Sequence, residues 1–134
     1  MIPFRVAFRP GSSLFEQVVY AAKKALVSGQ LRPGDAFPSV RALSTALRIN
    51  PNTAHKIVTQ LLNEGLLEVR PGSGTVVAQL PASTAKERSQ LLENEVEQLV
   101  VEAKKLSLGL PEVIAALAEH WARLENSPRL EKNK

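Results

Sequence analysis

The chain has 134 residues, 44% of them hydrophobic, enough for one ordinary domain with a packed core and an appendage, and not the composition of a disordered tail. It has no Cys, which excludes a disulfide framework and a thiolate metal site, and it has no apolar run of signal-peptide length or of the roughly 20 residues of a membrane span, so a cytoplasmic protein without membrane contact is expected. The net charge of +4 is uneven: residues 1–80 hold 9 Lys/Arg against 4 Asp/Glu and residues 81–134 hold 8 against 9, so the basic, partner-facing half is the N-terminal one.

Ser13 with Glu16 has the spacing of a capping box. Leu14, Phe15, Val18, Val19, Ala22 and Leu26 then recur at helical intervals until Gly29, which predicts a first amphipathic helix over 13–28. Leu31 to Asp35 is turn chemistry, with Pro33 presetting φ and Gly34 free to take a positive one. Ser39 can cap a short helix that turns Val40, Leu43, Ala46 and Leu47 inward. The run Asn50-Pro51-Asn52-Thr53 looks like a breaker but reads as a start signal: Asn50 can cap, and Pro51 falls at the first helical position, where its missing donor costs nothing. The third helix carries an apolar stripe of Ala54, Ile57, Val58, Leu61 and Leu62. Opposite lie Asn52, His55, Lys56, Thr59, Gln60 and Asn63, and Glu64 is the one acid, at the far end. After Gly65, the segments Leu66 to Arg70 and Thr75 to Ala78 flank Pro71-Gly72-Ser73-Gly74 as a β-hairpin.

Beyond Leu80-Pro81-Ala82, the residues Leu92, Val96, Leu99, Ala103 and Leu106 alternate four and three apart, a short heptad seam on a helix over 84–107. Gly109 and Pro111 punctuate, and a last helix with Val113, Ile114, Leu117, Trp121 and Leu124 is predicted to about Glu125, with Leu130 to Lys134 frayed. These two helices hold more apolar surface than they can bury between themselves, and a second copy of the chain is the expected cover.

Two short helices joined by a tight turn, the second opening on hydrogen-bonding groups, make a helix-turn-helix, and the added hairpin makes it winged. The expected fold is therefore mostly α with a small β-wing: an N-terminal winged helix-turn-helix over 10–80 and a C-terminal two-helix dimerisation appendage over 84–126.

Residues 14–77 resemble the DNA-binding domain of the GntR family of bacterial transcription regulators. The landmarks are Gly29, Pro33-Gly34-Asp35, Pro38-Ser39-Val40-Arg41, Leu43, Glu64-Gly65-Leu66 and the wing Gly72-x-Gly74-Thr75. Ile49 to Thr53, with only a short helical extension behind, is similar to the YtrA subfamily. The resemblance implies a transcription regulator, a repressor by the family's habit, that binds double-stranded DNA as a homodimer. It assigns DNA contact to Arg41, Asn50, Asn52, Thr53, His55 and Gly72, with Lys56 at a basic position of the YtrA-type pattern. Arg can hold guanine bidentately, Asn can pair with adenine, and a helix start favours phosphate. Many members carry Arg where this chain has Pro51, so no base contact is carried over there. Dimerisation is expected through Leu92, Val96, Leu99, Ala103, Leu106, Leu117 and Trp121.

The two histidines, His55 and His120, stand alone rather than in a metal-ligand cluster, and Arg70 to Thr75 lacks the ending of a phosphate loop, so neither an enzyme nor a cofactor or metal is expected. The roughly 50 residues after the wing leave no room for a dedicated effector domain, so a small-molecule effector, if one exists, is expected at the dimer interface or between the domains. The alternative reading is a winged-helix architectural or protein-interaction module without a specific operator.

Overall fold

The first helix, α1 (Leu14–Val27), starts where the Ser13 hydroxyl accepts the backbone N–H of Glu16. The computed structural model describes residues 2–125, 127 and 128. Among these, the return half of the Ser13–Glu16 capping box is absent. Gln17 ties down the entrance instead: its side-chain oxygen accepts from the Arg9 N–H at 2.7 Å, and its amide donates to the carbonyls of Arg9 and Ser12 at 2.8 and 2.9 Å. Val18, Val19, Ala22, Ala25 and Leu26 form the buried side of α1. Leu14, expected on that side, is exposed, and Phe15, partly buried against the core, is the first apolar contact of α1.

Helix α2 (Val40–Leu47) is capped by Ser39, whose hydroxyl accepts from Ala42 N–H at 3.0 Å. Leu43 is fully buried, with Val40 and Leu47 partly so. Ala46 was expected inward and is exposed. At about 100° per residue, Val40 and Leu47 lie on one side of Leu43 and Ala46 on the other, so a helix that turns the first pair to the core leaves Ala46 in solvent.

Helix α3 (Pro51–Asn63) buries Ala54, Ile57, Val58 and Leu61 and packs on both α1 and α2. Strands β1 (Leu67–Arg70) and β2 (Gly74–Val77) pair antiparallel from Leu67↔Val77 to Arg70↔Gly74. A third stretch lies on the other side of β2: Ala36 bridges to Val76, Gly34 N–H donates to Val77 O at 2.8 Å, and Phe37 N–H donates to Thr75 O at 2.9 Å. Those few residues between Gly34 and Pro38 are too short to show a strand pattern, so the turn alone was legible there.

The core of this unit joins Val18, Ala22, Leu43, Ile57, Leu61 and Val77 with Leu31, Phe37 and, from the chain's beginning, Ile2 and Phe4. The Phe4 ring stacks on Phe37 with centroids 5.7 Å apart. Residues ahead of position 10 therefore belong to the winged unit, which runs to Leu80 and also takes in Leu124, Glu125, Ser127 and Pro128. There Ser127 N–H donates to Ser28 O at 2.7 Å and the Gln30 amide to Pro128 O at 3.3 Å.

The second unit is Pro81–Arg123. Thr84 and Glu87 form a complete capping box at the start of α4 (Ala85–Ser89). A π-helical stretch, Gln90–Glu95, leads into α5 (Val96–Lys105). Ser107, in the left-handed conformation, ends that helix, and α6 (Leu110–Arg123) follows, so the last helix stops two residues short of the expected Glu125. The expected fraying of Leu130 to Lys134 lies outside the described residues. Among the described residues no helix is long and apolar enough to cross a membrane.

In the π-helical stretch the wider turn changes which side chains line up. Val96 N–H donates to Leu91 O, five residues back, so the wider turn brings Leu91 to the Val96 side beside Leu92. Leu92, Val96, Leu99, Leu106, Leu117 and Trp121 are exposed, Trp121 at 74%, whereas Ala103 is buried. Most of the apolar stripes of α5 and α6 are therefore left uncovered among the described residues, with Ala103 buried and Val113 half-buried.

Candidate DNA interface

The α2–turn–α3 segment, Val40–Asn63, contains Arg41, Arg48 and Lys56 and no Asp or Glu. Its turn is three residues long. Arg48 closes α2 with φ 55° and ψ 49°, its N–H donating to Ser44 O. Ile49 is buried, its N–H donates to Ser44 O at 3.1 Å, and the Ser44 hydroxyl returns a bond to Ile49 O at 2.8 Å. This reciprocal pair fixes the angle between the helices from the backbone outward.

Asn50 then starts α3. Its side-chain oxygen accepts the Asn52 N–H at 2.7 Å, which leaves the amide nitrogen of Asn50 available to a partner. The burial of Ala54, Ile57, Val58 and Leu61 turns the opposite ridge, Asn52, Lys56, Thr59 and Asn63, directly outward at intervals of four, three and four. Thr53 and Gln60 flank the ridge on one side and His55 on the other. Thr53, His55 and Lys56 come together with Thr59, Gln60, Asn63 and Phe15 around a shallow groove of about 570 Å³. Arg41, Asn50, Asn52 and Gly72 are not among its walls.

Arg41 is exposed in the first turn of α2, a turn with no acidic residue. Among the described residues its guanidinium has no hydrogen bond or ion pair. A cation at a helix N-terminus opposes the helix dipole by about 0.3–1 kcal/mol, so Arg41 does not help its own helix. Lys56 and His55 are likewise exposed and unpaired among the described residues.

The acid at the end of α3 is held away from this face. Glu64 pairs with Lys23 of α1 at 2.8 Å and accepts from the Gln60 amide at 2.6 Å. Partial burial works to raise its carboxyl, but the hydrogen bonds from Lys23 and Gln60 and the charge of Lys23 outweigh it and hold the group below its ordinary value. A carboxyl lowered on folding adds stability above its unfolded value, near 4.3, and loses that contribution as the pH falls through the lower folded value. Lys23→Met is therefore expected to lower stability by no more than about 1 kcal/mol near neutrality, since both groups are partly exposed. Urea unfolding at about pH 7 and about pH 2.5 checks this: the difference between the two proteins should vanish in acid. An equal difference at both pH values would mean that Lys23 acts by packing.

At the wing tip, Pro71-Gly72-Ser73 connects the paired Arg70 and Gly74, and Ser73 N–H closes the turn on Arg70 O at 3.0 Å. Gly72 and Gly74 have φ of 80° and 78°, and a Cβ on either would meet no atom within 4 Å. They are required by backbone conformation rather than by crowding, and the tip stays low enough for a duplex to approach. Arg70 is paired with Glu68 at 2.7 Å, so the wing's own cation is partly neutralised.

The sequence profile of the family described as "Bacterial regulatory proteins, gntR family" matches residues 8–77, the winged unit. The chain is 32% identical over 96 residues to the HTH-type transcriptional repressor YtrA of Bacillus subtilis strain 168, covering 71% of this chain and 74% of that one. Its structure is similar to a GntR family transcriptional regulator from Listeria monocytogenes, with a TM-score of 0.60 and 26% identity over 84% of this chain and 98% of that one. The fold alone is shared with a transcriptional antiterminator from Listeria monocytogenes EGD-e, at TM-score 0.81 and 21% identity over 96% and 97% of the two chains. Helix-turn-helix, wing and sequence agree: the chain belongs to the GntR family of DNA-binding bacterial transcription regulators, and to its YtrA subfamily.

Proposed function

We propose that this regulator is a homodimeric repressor that reads an inverted-repeat operator with the outer face of α2 and α3 and with the wing tip. The observation that carries the reading is the acid-free stretch Val40–Asn63, which places Arg41 and Lys56 on the surface without a neutralising partner among the described residues. Arg41, Asn52 and Lys56 supply a bidentate base donor, an adenine-type pair and a phosphate charge, Asn50, Thr53 and His55 surround the start of α3, and Gly72 brings the wing backbone to the duplex. The exposed Leu92, Val96, Leu99 and Leu106 of the stripe, with Leu91 beside them and Ala103 buried beneath, and the Leu117 and Trp121 face of α6 supply the dimer contact. The name of the Bacillus subtilis relative supports repression.

Genome-wide footprinting with the full chain tests the reading. A protected inverted repeat with half-sites about one helical turn apart is expected. Binding spread evenly over unrelated sequences would favour the architectural alternative instead.

A further inference from the structure

Arg48 sits at the one place in the helix-turn-helix where a large side chain is locally unfavourable. Its φ of 55° and ψ of 49° lie in the left-handed region, which glycine occupies freely and asparagine tolerates, but where other L-residues are strained by their Cβ. The turn uses the backbone of Arg48, whose N–H closes α2 on Ser44 O, and a glycine would make the same bond. Its side chain is exposed and, among the described residues, makes no hydrogen bond or ion pair. The residue thus pairs a conformation suited to glycine with a free guanidinium two positions ahead of the cap of α3. Ser107, in the same conformation at the end of α5, carries no charge.

Strain of this kind points to a use for the side chain. We propose that Arg48 is a phosphate-contacting residue, delivered to the DNA backbone by the left-handed turn beside the start of α3. The inference rests on the DNA surface proposed above. A guanidinium is always charged and matches phosphate oxygens bidentately. The left-handed backbone takes Arg48 out of the α2 helical path in the turn that leads into α3, with no acid anywhere in Val40–Asn63 to compete for it. A phosphate contact would position the protein without reading sequence.

The test uses the full chain with two duplexes of equal length, one carrying the footprinted site and one scrambled, titrated across a range of salt. Arg48→Gly should melt at or above the wild-type temperature, because glycine relieves the backbone. It should bind both duplexes more weakly by the same factor, about 5- to 10-fold near 0.1 M salt, and the slope of log K against log salt should become shallower by about 0.9. Arg48→Lys should keep most of the slope, and Arg48→Asn should behave like the glycine variant. Unchanged affinity and slope in Arg48→Gly, with the wild type binding normally, would overturn this assignment alone. So would a loss confined to the footprinted site, which would make Arg48 a base reader, or a lower melting temperature in both the glycine and asparagine variants, which would make its side chain a support of the fold. A wild type that binds neither duplex would overturn the proposed DNA surface itself.

Discussion

Arg41→Ala is expected to bind the footprinted operator at least about 10-fold more weakly than the wild type while melting no lower. A bidentate contact to a guanine edge contributes about 1–3 kcal/mol of discrimination, and each 1.4 kcal/mol is a factor of ten in affinity. The fold should not suffer, because Arg41 is exposed, lacks an internal partner among the described residues, and stands in the first turn of α2 with no acid beside it. Removing a cation from that position relieves an unfavourable dipole interaction of about 0.3–1 kcal/mol. Leu43, two residues on, keeps α2 anchored in the core. The separation of the two effects is the diagnostic feature. Gel shift and thermal melting on the same preparation measure it. Undiminished operator affinity would remove Arg41 from the interface, and a clear fall in melting temperature would assign it a structural duty instead.

The dimer should depend on the second unit. The full chain is expected to sediment as a dimer, whereas a chain carrying Val96→Glu with Leu99→Glu, or one ending at Leu80, should sediment as a monomer. Each should bind the inverted repeat about 100-fold or more weakly, because two linked recognition surfaces raise each other's effective concentration and one alone cannot. The double substitution is the sharper variant: Val96 and Leu99 are exposed on α5, so carboxylates there leave the isolated chain unperturbed but would place like charges in an apolar seam. The truncated chain keeps the buried side chains from Ile2 to Val77 and gives up the hydrogen bonds from Ser127 to Ser28 and from Gln30 to Pro128. Dimerisation of the truncated chain as strongly as the intact one would place the interface elsewhere.

The elements legible in the sequence were those whose causes lie within a few residues. Ser39 and Asn50 cap the helices they precede because a side-chain oxygen reaches a backbone N–H two or three positions on, and Pro51 marks the start of α3 for the same local reason. The wing follows from Pro71, Gly72 and Gly74 between two short strands. The outward ridge of α3, with Asn52 and Lys56, was readable because the period of Ala54, Ile57, Val58 and Leu61 settles which side faces the core. Tertiary structure decided what depends on partners far along the chain or on the exact path of the backbone. Phe4 on Phe37, Ala36 beside Val76 and Lys23 on Glu64 each join segments that carry no mark of one another. Ala46 was placed outside because α2 turns Val40, Leu43 and Leu47 toward the core, and the π-helical turn, with Val96 bonded five residues back to Leu91, interrupts the even helical spacing of the seam. Arg48 gives the sharpest contrast. Its charge was visible as a letter, but its left-handed conformation exists because Ile49 must be buried and bonded to Ser44, and that constraint comes from the packed core rather than from Arg48 itself.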